Sequence, residues 1–229
     1  MSSAARVDFY FDYLSPYAYF AALRLPELCA RHGAELVYRP VLFAGLLNHW
    51  GQLGPAEIPA KALYTFRDAA RWAALEGWPF RAPRFHPFVP LTALRLSLRS
   101  VAADEQARVV EALFRHGWGD GGDLGDAEAL GAALDRAGLD AAPLLERART
   151  EAAKAALRTE TDAAIARGVF GIPTMVTSGE LLWGYDRLPH LELILDGRDP
   201  LAGRDLAPLA SSGRAADRRS GLLLRKPGG

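Results

Sequence analysis

Two short segments, far apart in the 229-residue sequence, could together form a site, and the first has residue types suited to holding an anion. Ser15 is a favoured helix N-cap residue, and Pro16 follows it at the position that proline prefers in a first helical turn. The free N–H groups and the positive dipole end of such a helix favour an anion, and the Ser15 hydroxyl adds a donor. The second segment is residues 171–174 (GIPT), directly before a predicted strand. Taken alone, the first segment could be a plain helix cap and the second an ordinary turn.

Other site chemistries have no matching pattern in the sequence. None of the five histidines has metal-ligand spacing from another, and no HExxH, GxSxG, Walker or GxGxxG motif occurs. We therefore expect each histidine to be a surface or packing residue. The glycine-rich segment 117–125 lacks the Lys-Ser/Thr of a phosphate-binding loop, so it is expected to be a plain loop that leads to Asp126 as a helix N-cap.

The cysteine content excludes chemistry that needs a thiol pair. Cys29 is the single cysteine, so one chain can form neither an internal disulfide nor a cysteine-based metal cluster. It falls well inside the first predicted helix, where a small, buried, apolar role is expected. The first residues carry no signal-peptide pattern, and a cytoplasmic location is therefore predicted.

Charge and composition exclude several classes of binding protein. Half of the residues are apolar, and 27 basic residues balance 27 acidic ones. This composition is typical of a soluble globular protein with a sizeable core. The zero net charge argues against a nucleic-acid binder and against electrostatic membrane binding. No apolar run approaches the roughly 20 residues that span a bilayer.

The predicted secondary structure places both segments next to β-strands. β-Branched and aromatic residues predict strands at 6–13, 35–43, 174–177 and 181–183. Helices are predicted from residue 16 to Gly33 and at 57–76, 90–102, 104–116, 126–137, 141–166 and 187–196. Pro40 indicates an edge strand, and Pro26 is expected to bend or restart the first helix. The order is strand-helix-strand, an all-helical block, then strand-strand-helix.

This order is the layout of the thioredoxin fold, in which the first helix begins at a reactive CxxC motif and a cis-proline before the third strand faces it. Residues 15–18 (SPYA) stand at the CxxC position, and Pro173 stands at the cis-proline position. Without a cysteine there, a dithiol redox cycle at this site is impossible. The helix start still favours an anion, and it would suit a thiolate supplied by another molecule.

Five segments of the chain resemble the 2-hydroxychromene-2-carboxylate isomerase family, which is related to kappa-class glutathione transferases and to DsbA-like proteins. They are FDYLSPYAYFAALRLPEL, YRPVLFAGLL, GQLGPAEIPAKALYTFRDAARWA, FGIPTMV and WGYDRLPHLELIL, in this order over about residues 6–197. The resemblance implies an α/β protein with a thioredoxin-like fold and an inserted all-helical domain. It also implies glutathione as cofactor and a homodimer. We expect a discontinuous thioredoxin-like domain (1–48 and 169–203), an inserted helical domain (49–168) and a flexible basic tail (204–229).

The resemblance implies which residues hold the sulfur and the centre of glutathione. Ser15 matches the family serine that contacts the glutathione sulfur, and it is the expected catalytic residue. Ile172 matches the residue whose backbone pairs with the cysteinyl part, and Pro173 matches the cis-proline.

The ends of glutathione carry two carboxylates and one ammonium, which need charges of opposite sign. Asp186 matches the family acid that binds the γ-glutamyl ammonium, with Tyr185 beside it. Lys61 matches a lysine that reaches glutathione from the inserted domain. Gln52 falls where the kappa enzymes have asparagine, and it keeps the amide on a longer side chain. Judged without the family, Asp186 could cap the last helix and Lys61 could be a solvated helix residue.

The implied activity is a glutathione-dependent isomerisation of an aromatic-degradation intermediate by reversible thiolate addition. Tyr13, Tyr17, Trp50 and Tyr64 are candidates for an aromatic substrate-binding face, or they are core residues. The expected partner is a small aromatic substrate, not a nucleic acid or a membrane. Two alternatives stay open, namely transferase or peroxidase chemistry on the same thiolate, and a catalytically silent thioredoxin-fold module that binds a peptide or protein.

Overall fold

A four-stranded mixed sheet lies at the centre of the molecule, of which a computed structural model describes residues 5–210. The strands are β1 (Arg6–Phe11), β2 (Glu35–Pro40), β3 (Thr174–Thr177) and β4 (Glu180–Trp183), in the spatial order β2-β1-β3-β4. β2 is parallel to β1, whereas β3 is antiparallel to both β1 and β4. The sequence predicts all four strands, and β2 lies at the edge of the sheet, as Pro40 indicates.

Helices form most of the rest of the described chain. They are α1 (Pro16–Arg31), α2 (Phe43–Trp50), α3 (Pro59–Glu76), α4 (Leu91–Leu96), α5 (Arg99–Ala102), α6 (Gln106–Phe114), α7 (Ala127–Arg136), α8 (Ala141–Arg149), α9 (Glu151–Ala166), α10 (Leu188–Leu195) and α11 (Ala207–Ala210). The helices α3 to α9 lie where the sequence predicts an all-helical block, whereas α2 precedes that block and is not predicted.

Several predicted elements are wrong in detail. The helix predicted over 90–102 is two helices, α4 and α5, since Leu98 between them adopts an extended conformation. The sequence extends the second strand to residue 43, but α2 begins there, because the buried Asp12 carboxylate accepts the Phe43 N–H at 2.9 Å. That contact comes from a distant part of the chain and leaves no local sequence signal. The helix predicted over 141–166 is two helices, since Thr150 adopts an extended conformation and its Oγ1 accepts the Ala153 N–H at 3.2 Å as an N-cap.

The first helix, α1, is continuous from Pro16 to Arg31, and it does not restart at Pro26. Its apolar side chains, among them Tyr19, Phe20 and Leu25, are almost completely buried. Cys29 is 2% exposed, which confirms the predicted buried role. Burial raises the pKa of the Cys29 thiol to about 11, so this sulfur is not an available nucleophile.

One hydrophobic core joins the sheet to the helices that lie between β2 and β3. Phe9 and Phe11 of β1 stack with their ring centroids 5.1 Å apart, and Phe11 contacts Phe114 of α6 at 5.5 Å. Fully buried Trp118 belongs to a π-helical segment, Arg115–Gly119, that continues α6. The glycine-rich segment 117–125 is therefore not a plain loop throughout, because its first residues are helical and buried.

Within residues 5–210, no helix has the length and apolar character needed to cross a bilayer. The predicted basic tail begins at residue 204, and its part from 211 to 229 lies outside the described residues. The division into a discontinuous thioredoxin-like domain and an inserted domain stays a prediction.

Candidate active site

The sheet brings the two candidate segments to the same end. Tyr10 of β1 pairs with Thr174 of β3 in an antiparallel register. From this pair, the chain runs forward from β1 to Ser15 and backward from β3 through Pro173, so both segments leave the sheet in the same direction. The peptide bond between Ile172 and Pro173 is cis, as the thioredoxin layout predicts.

Ser15 is the N-cap of α1 and still has a donor to spare. Its Oγ accepts the Ala18 N–H at 3.2 Å, and the hydroxyl can donate its own hydrogen at the same time. That hydrogen has no acceptor within the part of the chain that is described. Pro16 has no N–H, and the N–H of Tyr17 bonds to no described residue. The start of α1 therefore presents two unused donors at the positive end of the helix dipole.

Asp12 shapes the turn between β1 and Ser15 from a fully buried position. Its Oδ1 accepts the Leu14 N–H at 3.0 Å, and its Oδ2 accepts the Phe43 N–H at 2.9 Å. One carboxylate thus fixes the turn before α1 and the first residue of α2. Burial raises the pKa of Asp12 to about 7, although the backbone N–H groups oppose that shift.

Two side chains from the helical block between β2 and β3 also hold this turn. Trp118 Nε1 donates to the Tyr13 carbonyl at 2.8 Å, and His86 Nε2 lies 2.9 Å from the Leu14 carbonyl. The sequence predicts a surface or packing role for His86 and does not predict this contact. The sequence offers one weak signal, since His86 stands between aromatic residues in a proline-rich segment that has no helical periodicity.

In the cis-proline segment, the apolar Ile172 side chain is packed, whereas the polar backbone groups of Ile172 have no partner among the described residues. The Ile172 side chain is 7% exposed and packs in a cluster that includes Val41 and Leu46. The Pro173 carbonyl accepts the Gly184 N–H at 2.9 Å. Among the described residues, no hydrogen bond uses the backbone N–H or carbonyl of Ile172. An extended peptide could therefore pair with this backbone.

Asp186 lies in a short 3-10 helix, Tyr185–Arg187, directly after the sheet. Its carboxylate is about half exposed, with the Arg187 guanidinium 3.4 Å away. Gly184 allows this turn because its φ is +110°, and a Cβ there would lie 2.5 Å from an Asp186 oxygen. The Tyr185 side chain is buried and donates to Glu76 of α3 at 2.8 Å, so it ties the Asp186 turn to α3.

Lys61 lies on the side of α3 that faces α1. The Tyr17 hydroxyl donates to Asp68 of α3 at 2.8 Å, and Lys61 precedes Asp68 by seven positions, close to two helical turns. The Lys61 side chain is exposed, and its ammonium forms no hydrogen bond or ion pair with another described residue. Because α1 also contacts the segment that contains Asp186, both charges lie on elements packed against α1.

Gln52 lies in the loop that follows α2. It is exposed, and its side-chain amide makes no hydrogen bond within the described chain. The neighbouring Trp50 donates from Nε1 to the Val169 carbonyl at 2.9 Å, which ties this loop to the chain before the cis-proline.

The four aromatic candidates for the substrate face are of two kinds. Tyr13 is fully buried and its hydroxyl hydrogen-bonds with Ser97, so it is a core residue and no part of a substrate surface. Tyr17 is half-buried, whereas Tyr64 is 62% exposed and Trp50 is 36% exposed. These three stay candidates for contact with a flat apolar molecule.

Comparison with known proteins agrees with this geometry. Residues 6–196 match the family model of the DSBA-like thioredoxin domain. A 2-hydroxychromene-2-carboxylate isomerase of Sphingobium xenophagum is 34% identical over 191 residues, which are 82% of this chain and 97% of that protein. The chain belongs to this isomerase family of DsbA-like thioredoxin proteins. The resemblance stated from the sequence motifs is thereby confirmed.

Two further comparisons extend the family relationship. A solved structure of a 2-hydroxychromene-2-carboxylate isomerase superposes with a TM-score of 0.76 at 32% identity, and the match covers 90% of this chain and 100% of that one. Glutathione S-transferase kappa 1 of Rattus norvegicus is 29% identical over 210 residues, which are 85% of this chain and 93% of that protein. The predicted α/β thioredoxin-like fold is thus confirmed, and the family's relatives carry two different activities in their names.

Proposed function

We propose that this protein is a glutathione-dependent isomerase of a small aromatic-degradation intermediate similar to 2-hydroxychromene-2-carboxylate. The observation that carries the proposal is the pair of unused donors at the start of α1, the Ser15 hydroxyl and the Tyr17 N–H. Hydrogen-bond donors beside a helix N-terminus lower the pKa of a thiol bound there, since they favour its charged form. The chain has no cysteine at this point, so the sulfur has to come from a bound molecule.

Other groups with unused polar capacity support glutathione as that molecule. The free backbone of Ile172 suits the cysteinyl peptide groups, beside the cis bond to Pro173. The unpaired Lys61 ammonium suits a carboxylate, and the half-exposed Asp186 suits the γ-glutamyl ammonium. Gln52 would add an amide donor and acceptor from the loop after α2. In this proposal Tyr185 contributes by holding the Asp186 turn.

Bound glutathione would supply a thiolate that adds reversibly to a carbon–carbon double bond conjugated with a carbonyl, which allows rotation before the thiolate leaves. The residues of this chain keep the sulfur ionised and fix its position. Ser15 donates its hydroxyl hydrogen, Tyr17 donates its N–H, and the α1 dipole adds a positive potential. Tyr64 and Trp50 offer apolar surface for an aromatic substrate.

Kappa-like transferase or peroxidase chemistry is the second candidate, since the rat kappa enzyme is similar over 93% of its length. Both activities use the same thiolate. Transferase chemistry leaves it bonded to the organic molecule, whereas peroxidase chemistry oxidises it with a hydroperoxide, which is reduced to an alcohol and water. A product isomeric with its substrate, with glutathione recovered, favours isomerisation. A stable glutathione conjugate or glutathione disulfide favours the second candidate.

Calorimetric titration with glutathione tests the proposal. We expect saturable binding that weakens by about 1–3 kcal/mol in Asp186→Ala or Lys61→Ala, because a charge-assisted contact is lost. Matched controls are Asp162→Ala and Lys154→Ala on α9, which packs against β2 at the other end of the sheet from β4. Absence of binding at millimolar glutathione would reject the enzyme proposal and leave the silent binding module.

The proposal includes a homodimer in the cytoplasm. Leu63, 62% exposed on α3, supports a subunit interface on that helix, since a large exposed apolar side chain favours association. Sedimentation should give twice the chain mass of 24.8 kDa. Leu63→Glu should shift the mass towards that of the single chain, and an unshifted dimer would place the interface elsewhere.

A further inference from the structure

His86 contacts the carbonyl group immediately before Ser15. It lies between α3 and α4, and its Nε2 is 2.9 Å from the Leu14 oxygen. Edge-to-face contacts with Phe66 and Trp118, at 5.2 and 5.5 Å between ring centroids, fix the plane of the imidazole. The ring therefore has a defined direction as well as a defined partner.

The contact belongs to a set that fixes two successive peptide groups. In the peptide between Tyr13 and Leu14, the carbonyl accepts from Trp118 Nε1 and the N–H donates to Asp12 Oδ1. Each polar end of this peptide thus has a partner outside the turn backbone.

The next peptide, between Leu14 and Ser15, is held in the same way. Its carbonyl contacts His86 Nε2, and its N–H donates to the Asp12 carbonyl at 3.3 Å. A peptide that is hydrogen-bonded at both ends cannot rotate about its long axis without breaking a bond. Because this peptide sets the start of α1, it also sets where the Ser15 hydroxyl and the Tyr17 N–H point.

The hydrogen bond assigns the tautomer of the ring. A carbonyl oxygen only accepts, so Nε2 carries the hydrogen. Burial lowers the pKa of His86, while the bond to Leu14 opposes this, so the ring is neutral at pH 7 and Nδ1 has no hydrogen. Only a side chain with a donor at the distance of Nε2 reproduces this contact.

We propose that His86 is a positioning residue for the thiolate site, which fixes the peptide before Ser15 by donating its Nε2–H to the Leu14 carbonyl. The catalytic consequence of this role rests on the proposed function. The structural effect on the turn before Ser15 is independent of that function. A mere packing role would require only the ring volume. The two roles predict different outcomes for substitutions of equal polarity.

Glutamine and asparagine separate the two roles. In His86→Gln the amide nitrogen can reach the position of Nε2, whereas in His86→Asn it reaches only the position of Nδ1. His86→Ala removes both donor and volume. The control is His32→Asn. His32 lies at the C-terminal end of α1, about 24 Å away, and its ring contacts the Asp196 carboxylate at 3.1 Å.

The first readout is hydrogen exchange of residues 12–18 in the ligand-free protein. We expect faster exchange of this segment in His86→Asn and His86→Ala, and near-normal exchange in His86→Gln and in the His32 control. Equal exchange in all variants would overturn the positioning role, whatever the protein does with glutathione.

The second readout is the pKa of bound glutathione thiol, followed by its ultraviolet thiolate absorbance, together with kcat and KM. We expect Asn and Ala to raise this pKa and to lower kcat about five- to tenfold with little change in KM, and Gln to stay near the unsubstituted protein. Loss of activity in Gln with a normal thiol pKa would overturn positioning, because the ring would then act directly. Altered exchange without any glutathione binding would reject the proposed function and keep the role of His86 in the turn.

Discussion

The backbone differs sharply between the two sides of Ser15. Before it, the peptides that join Tyr13, Leu14 and Ser15 have every N–H and carbonyl hydrogen-bonded. After it, the N–H of Tyr17 has no partner among the described residues. The first N–H groups of a helix have no intrahelical partner, so this N–H is available to the ligand of the proposed function. In the proposed function, the hydrogen-bonded turn before Ser15 fixes the direction of the unpaired donors after it before the ligand binds.

Two buried acids near this turn, Asp8 and Asp12, have pKa values shifted in opposite directions. Burial acts on Asp8, but ion pairs with Arg6, Arg39 and Arg167 outweigh it and lower the pKa of Asp8 below its usual value. Four residues later, burial raises the pKa of Asp12 to about 7. The acid inside the sheet is neutralised by cations, whereas the acid beneath the turn is matched by backbone N–H groups. The second arrangement ties protonation to the shape of the site.

Removal of Asp12 should disrupt the hydrogen-bonded turn before Ser15, and it should have the largest effect of the predicted substitutions. We expect Asp12→Ala to lower the free energy of unfolding by about 3–5 kcal/mol at pH 5, because the Leu14 and Phe43 N–H groups lose their buried acceptor. Chemical denaturation measures the loss. Asp126→Ala is the control, since that exposed acid accepts one N–H, from Glu128, and should cost only about 1 kcal/mol. A comparable loss in both variants would mean that burial of the Asp12 contacts adds nothing.

The stabilising effect of Asp12 should also depend on pH with a definite sign. Its pKa is higher in the folded protein than the unfolded value near 4, so folding takes up a proton between these values. Its contribution to stability is complete below about pH 4 and is lost as the pH rises through 7. The difference in unfolding free energy between the unsubstituted protein and Asp12→Ala should shrink by about 2–4 kcal/mol from pH 4 to pH 8. A difference that grows over this range would show that the N–H groups hold Asp12 ionised.

The sequence predicts the start of α1 and the cis-proline, but it does not predict the contacts that fix the turn before Ser15. The pattern around Ser15 and Pro16 predicts the helix start, because a cap acts on its nearest neighbours. The cis bond at Pro173 is predicted from the thioredoxin layout, since a proline alone does not specify a cis peptide. The contacts of Asp12, His86 and Trp118 join residues 31, 72 and 105 positions apart. No local pattern marks such contacts, which explains why the start of α2 and the role of His86 are not predicted.

Ser15→Ala should remove a donor at the start of α1 while leaving the hydrogen-bonded turn before it intact. Loss of a charge-assisted hydrogen bond to the thiolate should lower the rate about ten- to a hundredfold and raise the pKa of the bound thiol, whereas loss of the cap costs only about 1 kcal/mol of stability. Steady-state kinetics and thermal unfolding separate the two effects. Thr150→Ala is the matched control, since Thr150 caps α9 with the same 3.2 Å contact. Normal turnover in Ser15→Ala, with only the stability loss of the control, would reduce Ser15 to a helix cap.

Tyr17→Phe should have the smallest effect, and it tests which part of Tyr17 belongs to the site. The substitution removes the hydroxyl that donates to Asp68 but keeps the N–H at the start of α1. We expect a stability loss of about 1 kcal/mol from the broken hydrogen bond, with glutathione affinity and the pKa of the bound thiol almost unchanged. Tyr64→Phe, an exposed tyrosine on α3, is the control for removing a hydroxyl near the site. If Tyr17→Phe weakened thiolate binding as much as Ser15→Ala does, the side chain would contact the ligand. The ligand contacts at the start of α1 would then come from side-chain donors, and the unpaired Tyr17 N–H would not be the main contact.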